Sequence, residues 1–242
     1  MTDFEALQRT YDVYEIKNVM GRHAYHHALG THRAELDTLW SRRDDISWGN
    51  NQGFWVGRET MYNYYADAKD IQDEAVLKLM AKANPNIEVK KENFQMGALL
   101  MHSLTTPLIE VAADGNTAQG MWYSLGQVTN AGPDGSASGS WMHERYAVDF
   151  IKEDGEWKIW HFFVGTDLGC PAGEPFAERK PMPKTEAPAE PDPMMEIMAA
   201  LPKPTIPMNL YHCKYGWHEW PHWPVPHATH TPELSYGPEK YM

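Results

Sequence analysis

Two short runs hold the residues best suited to chemistry. Trp141-Met142-His143-Glu144-Arg145-Tyr146-Ala147-Val148-Asp149-Phe150 reads as one strand, and the segment from Trp157 to Phe163 as the next, joined by the tight turn Asp154-Gly155. Strand side chains alternate between two faces. Met142, Tyr146, Val148 and Phe150 therefore share an apolar face with Glu144 in its middle, and Trp157, Ile159 and Phe163 form the matching face with His161 among them. A buried carboxylate and imidazole are costly unless they are paired or used. Glu144 is thus either a proton acceptor in a pocket, paired with His161, or an outward-facing acid beside an ordinary core histidine. A carboxylate held away from water takes up a proton more readily. Tyr146 shares the face of Glu144 and is placed to donate a proton to a developing oxyanion, unless it only packs, as Tyr123 would one strand earlier.

Histidines supply further candidates. His102 lies on the mostly apolar run Leu99-Leu100-Met101-His102, as a strand-end residue or a pocket group. His23 and His27 are four apart on one helix face, and His26 is three from His23. Such spacing can bind metal, but His-Glu-x-x-His is missing. His26 or His27, with His32, therefore read as pocket hydrogen-bonding groups, and no metal is expected. His212, Cys213, His218, His222, His227 and His230 follow no zinc-module spacing. No Gly-x-Gly-x-x-Gly, Walker loop, Gly-x-Ser-x-Gly or Cys-x-x-Cys occurs, so no cofactor and no hydrolase triad are expected.

The elements that must position these groups follow from local pattern. Thr2-Asp3-Phe4-Glu5 is a capping box. Phe4, Leu7, Tyr11 and Tyr14, then Ile16, Met20, His23 and His27, recur at helical spacing as far as Gly30. A short helix near Arg33–Trp40, a strand near Ile46–Trp48, a loop from Gly49 to Gly53 and a broken helix from Arg58 to Ala83 come next. Leu99–Leu104 and Leu108–Ala112 are β-like, with Pro107 marking a bulge between them. Strands at Thr117–Thr129, Trp141–Lys152 and Lys158–Val164 complete a meander. Helices first and an antiparallel sheet after them predict an α+β domain in which helices cover one face of a curved sheet and enclose a pocket.

Bulk composition narrows the function. The 242 residues carry a formal net charge of −12 and no basic run, which argues against nucleic acid and anionic membrane as partners. No apolar run is long enough to span a bilayer, no apolar leader follows Met1, and only Cys170 and Cys213 occur, so a reduced cytoplasmic setting is expected. Of 18 prolines only Pro85, Pro107 and Pro133 precede Gly165. The chain therefore divides into a regular domain, 1–165, and a Pro- and aromatic-rich extension, 166–242, expected to wrap the domain or a neighbouring subunit, with a short helix near Met194–Leu201 and its mobile part at Glu174–Pro193.

The order of these pieces resembles the nuclear-transport-factor-two-like superfamily, in its SnoaL-like and scytalone-dehydratase-like branch. Tyr25-His26-His27-Ala28-Leu29, Glu35-Leu36-Asp37-Thr38-Leu39, Gly57-Arg58-Glu59, Ala118-Gln119-Gly120 and Asp154-Gly155-Glu156-Trp157-Lys158-Ile159 carry the resemblance. It implies a cone-shaped α+β barrel with a deep apolar pocket, as a homodimer or homotrimer, in which polar side chains move protons without a cofactor. The family's pocket aspartate falls on or near His32, so that group is absent here. Its pocket histidine falls on His102, two polar groups on the next-to-last strand on Glu144 and Tyr146, and an early-strand tyrosine on Trp48. Trp48, Trp122, Tyr123, His26 and His27 are the expected substrate-binding set, and Glu144, His102, His161, Tyr146 and His32 the expected catalytic set. The implied activity is a lyase acting on a small aromatic hydroxylated substrate. It would release water or, as in the diarylpropane lyases of lignin-dimer catabolism, formaldehyde. A non-catalytic aromatic-ligand-binding or assembly protein is the alternative, and a relative of ring-hydroxylating-dioxygenase small subunits is a third reading.

Overall fold

A computed structural model describes residues 2–178, 201–203, 210–214 and 221–240. Helix α1 (Asp3–Leu29) begins at the Thr2–Glu5 capping box and ends at Gly30, whose φ of 67° is the left-handed conformation that closes helices. Its two stripes fare differently. Ile16, Met20 and His23 are buried, whereas Phe4, Leu7, Tyr11 and Tyr14 lie on an exposed face. Helix α2 (His32–Thr38) follows directly. The strand expected near Ile46–Trp48 is β1 (Ser47–Asn50), and the expected loop from Gly49 to Gly53 is instead the tight end of a hairpin that returns as β2 (Gly53–Val56). Helix α3 (Arg58–Met61) runs through a π-helical turn, Tyr62–Ala68, into α4 (Lys69–Ala83). A short helix, α5 (Phe94–Gly97), precedes the main sheet.

The sheet is built from β3 (Leu100–Val111), β4 (Thr117–Ala131), β5 (Ala137–Glu153) and β6 (Glu156–Pro171), and its full order is β2-β1-β6-β5-β4-β3. All pairings are antiparallel except β1 with β6, which is parallel. The fold is thus α+β, with N-terminal helices against a curved sheet that does not close. Leu99–Leu104 and Leu108–Ala112 belong to one strand, interrupted by a register shift between Thr105 and Leu108 that includes Pro107. A residue without an N–H is tolerated where the ladder is already broken.

The inner face packs on α1 and α2 through one core that includes Ile16, Met20, Leu36, Trp40, Val148, Phe150, Ile159 and Phe162. The outer face is covered in part by the C-terminal segment. Tyr236 packs with Phe54, Ala147 and Phe163 there, while Ser235 Oγ and Tyr236 N–H donate to Asp149 Oδ2 at 2.8 and 2.7 Å. The expected helix near Met194–Leu201 and most of Glu174–Pro193 lie outside the described residues.

Bulges set which side chains face inward. One extra residue on a bulged strand reverses the alternation beyond it. On β6 the ladder pairs Asp149 with His161 but Phe150 with Ile159, so Trp160 is the extra residue. Trp157 and Ile159 face the inner core, and beyond the bulge Phe162 and Val164 do so instead of His161 and Phe163.

Candidate active site

A cavity of about 210 Å³ lies between α1 and the inner face of the sheet. Its aromatic wall is Trp48, Tyr65, Tyr146 and Phe162, its aliphatic wall Leu100, Val128, Met142 and Val164, and its polar groups are His23, His27, His102 and Glu144. Among the described residues neither lysine nor arginine lines it. Tyr65 reaches it from the π-helical turn, an irregularity frequent at functional sites.

His102 and Glu144 meet although their strands are not neighbours. His102 pairs with Gly126 across β3–β4, and Glu144 pairs with Ser124 across β4–β5. The imidazole must lean over β4 to reach the carboxylate. A Cβ on Gly126 would stand 3.0 Å from His102 Cε1 and 3.1 Å from Nδ1, so the missing side chain makes the room. His102 Nδ1 then sits 3.1 Å from Glu144 Oε2 and 3.2 Å from Ser124 Oγ, with both ionisable side chains buried. Thr166 Oγ1 donates to Glu144 Oε1 at 3.3 Å. Oε2 has no hydrogen-bond partner among the described residues. Burial, then the neighbouring Glu144 carboxylate, push the Tyr146 phenol well above its usual range, so it stays protonated. The floor of the cavity therefore joins an acceptor with a free lone pair, an imidazole and a phenol that can donate.

Behind the opposite wall lies a second network. Glu35 Oε1 accepts from Trp40 Nε1 at 3.0 Å and lies 2.8 Å from His23 Nδ1, and Tyr65 Oη donates to Oε2 at 3.1 Å. Burial pushes the Glu35 carboxyl up, but the adjacent His23 and these hydrogen bonds outweigh it and hold the group below the usual carboxylate range. His27 Nδ1 is 3.1 Å from His32 Nε2. Burial, reinforced by His102 and His32, pulls His27 well below the usual imidazole range, and burial takes His32 down to about 4. Both are neutral at physiological pH.

The structure brings together Glu144, His102, Tyr146, His27 and Trp48 of the expected site residues. The others are corrected. His161 lies on the outer face beyond the Trp160 bulge, 2.9 Å from Ser47 Oγ, and so cannot pair with Glu144. His32 stands behind His27 rather than on the cavity wall. His26 bonds Thr31 Oγ1 at 2.8 Å and ties off the end of α1. Trp122 shares the inner face but packs on Phe150 deeper in the core, and Tyr123 points to the exposed outer face. His23, Glu35, Tyr65, Ser124 and Thr166 were missed. The only signal for His23 was its i, i+4 relation to His27, and Glu35 reads as an ordinary amphipathic-helix acid. Among the described residues no three histidine, cysteine or carboxylate groups converge as a metal site.

Residues 8–162 match the SnoaL-like domain family, well over half of the chain. This chain belongs to the SnoaL-like family. No curated protein sequence matches it significantly. Among solved structures, a protein of Novosphingobium aromaticivorans DSM 12444 provisionally named a scytalone dehydratase aligns with a TM-score of 0.49 and 13% identity, covering 75% of this chain and 99% of that one. Hexachlorocyclohexane dehydrochlorinase LinA-type3 of Novosphingobium barchaimii LL02 aligns with a TM-score of 0.48 and 15% identity, covering 72% and 99%. No helix among the described residues is long and apolar enough to cross a membrane.

Proposed function

We propose that this SnoaL-like protein is a lyase that acts by general acid–base catalysis on a small, neutral, aromatic hydroxylated molecule, using only its own side chains. The observation that carries the reading is the free Glu144 Oε2 beside His102 Nδ1 at 3.1 Å, in a cavity whose other walls are aromatic and aliphatic side chains and the imidazoles of His23 and His27. The aromatic wall suits a ring, and the lack of a cationic lining residue disfavours a carboxylate or phosphate substrate.

In a dehydration, the His102–Glu144 pair takes a proton from carbon, the new double bond forms, and the departing hydroxyl receives a proton from the Tyr146 side and leaves as water. In the alternative, the pair takes the hydroxyl proton of a hydroxymethyl group. The adjacent C–C bond breaks to release formaldehyde, and its electron pair forms a double bond as a hydroxyl on the next carbon leaves as water. Both need one proton acceptor and one donor, and each such group supplies about 10²–10⁴-fold. The finer choice, including a lignin-derived diarylpropane as substrate, rests with assay.

The test is incubation of the protein with a panel of hydroxylated aromatic compounds, with and without chelator, reading dehydrated product and formaldehyde. Turnover that survives chelation and falls about 10²–10⁴-fold in Glu144→Gln supports the reading. Full activity in Glu144→Gln removes that carboxylate from the mechanism, and loss of turnover on chelation overturns the claim of self-sufficiency. Binding of the aromatic compounds without turnover of any of them would favour a ligand-binding protein.

A further inference from the structure

We propose that the cavity contains a second proton-transfer centre, the His23 imidazole oriented by the buried carboxylate of Glu35, which acts as the proton donor to the leaving group. The inference rests on the acid–base reading above and assigns a role to residues that it does not use.

The geometry orders three things in a line. Glu35 is fully buried and does not line the cavity, whereas His23 does. His23 Nδ1 is 2.8 Å from Glu35 Oε1, and the remaining capacity of the carboxylate is taken by Trp40 Nε1 and by the Tyr65 hydroxyl. An ionised carboxylate only accepts, so Nδ1 must be the donor in that 2.8 Å contact. The tautomer is thereby set, and Nε2 is the nitrogen left to gain and lose a proton.

A purely structural reading explains this arrangement poorly. Removing two charged groups from water costs more than packing apolar groups of similar volume. The network holds one imidazole in one orientation at the cavity wall, as a positioned proton carrier requires. It also faces the first pair across a short span. The His23 ring lies 5.9 Å from the Tyr146 ring, and the His102 ring 6.2 Å from the same ring. A substrate touching Tyr146 is within reach of both imidazoles. In the elimination, the His102–Glu144 pair receives the proton from substrate, the Nε2–H bond of His23 breaks, and that proton leaves with the departing oxygen. The site gains one proton and loses one.

The titratable groups around His23 are Glu35 on α2, His27 on its own helix, Tyr65 on the π-helical turn, Tyr146 on β5, and His32. Side-chain ¹⁵N NMR of the full chain, with His23→Gln to assign the signals, tests the orientation directly. The expected result is an Nδ1 that stays protonated whether or not Nε2 carries a proton, and an Nε2 shift that responds when phenol is added as probe. An Nδ1 that loses its proton, or no response to phenol, overturns the proposal. On any compound the protein turns over, His23→Gln should lower kcat by about 10²–10⁴-fold with little change in KM. Glu35→Gln should lower it less and move one limb of the pH–rate profile toward acid. His23→Gln with undiminished kcat, beside an inactive Glu144→Gln, overturns this proposal and leaves the first reading standing. If the wild type turns over nothing, the first reading fails and this one falls with it.

Discussion

Mild acid should destabilise this protein by protonating histidines that the fold keeps neutral. Burial holds His161 down to about 3 and His32 down to about 4, against an ordinary value of 6.5. In the unfolded chain both histidines take up a proton as pH falls through about 6.5, so the unfolded state binds more protons over that range. Their contribution to stability is complete above about pH 6.5 and is lost progressively below it, until each folded-state value is reached. Between pH 7 and pH 5 the linkage relation gives a loss of about 2 kcal/mol for each, about 4 kcal/mol together. That is a large share of the roughly 5–15 kcal/mol that stabilises a typical domain. His27 acts in the same sense, whereas Asp149 and Asp73, pushed up by burial, act in the opposite one. A difference measurement removes these shared terms. Urea unfolding followed by circular dichroism at pH 7, 6 and 5 should show the wild type losing about 2 kcal/mol more than His161→Gln over the interval. Parallel pH dependences for the two proteins would refute the reasoning, since His161 would then titrate alike in both states.

Three structural predictions follow from close packing and buried polar groups. Gly49→Ala places a Cβ 2.5 Å from two ring carbons of Phe54, and should cost about 1–3 kcal/mol in urea unfolding. Arg145→Ala strips the buried Asp167 of a two-point contact, Nε at 2.9 Å and Nη2 at 2.7 Å, and should lower stability by about 3 kcal/mol. Asp149→Asn replaces one carboxylate oxygen by an amide where only donors face it: Ser235, the Tyr236 N–H and Gln119. It should cost about 1–3 kcal/mol and speed limited proteolysis within residues 221–240.

Local signals were legible in the chain itself. The Thr2–Glu5 capping box and Gly30 bounded α1, the Asp154-Gly155 pair made the β5–β6 turn, and the β3–β6 meander followed from period-two patterning. Strand phase in β5 was also readable, because its ladder keeps alternation from Glu144 to Phe150 and so leaves Glu144, Tyr146, Val148 and Phe150 on one face. The same logic failed on β6. A bulge adds one residue without altering composition, and nothing around Trp160 announces it, so His161 went to the wrong side.

What the sequence determined by itself is the class of fold and the identity of one cavity strand, since caps, turns and alternation depend on neighbours along the chain. Which groups meet was decided only by tertiary structure. His102 reaches Glu144 across an intervening strand through the gap left by Gly126, and His23 reaches Glu35 because two helices fold back at Gly30. Those distances depend on register, bulge and helix crossing, which are settled by packing of the whole core and leave no fixed spacing in the sequence.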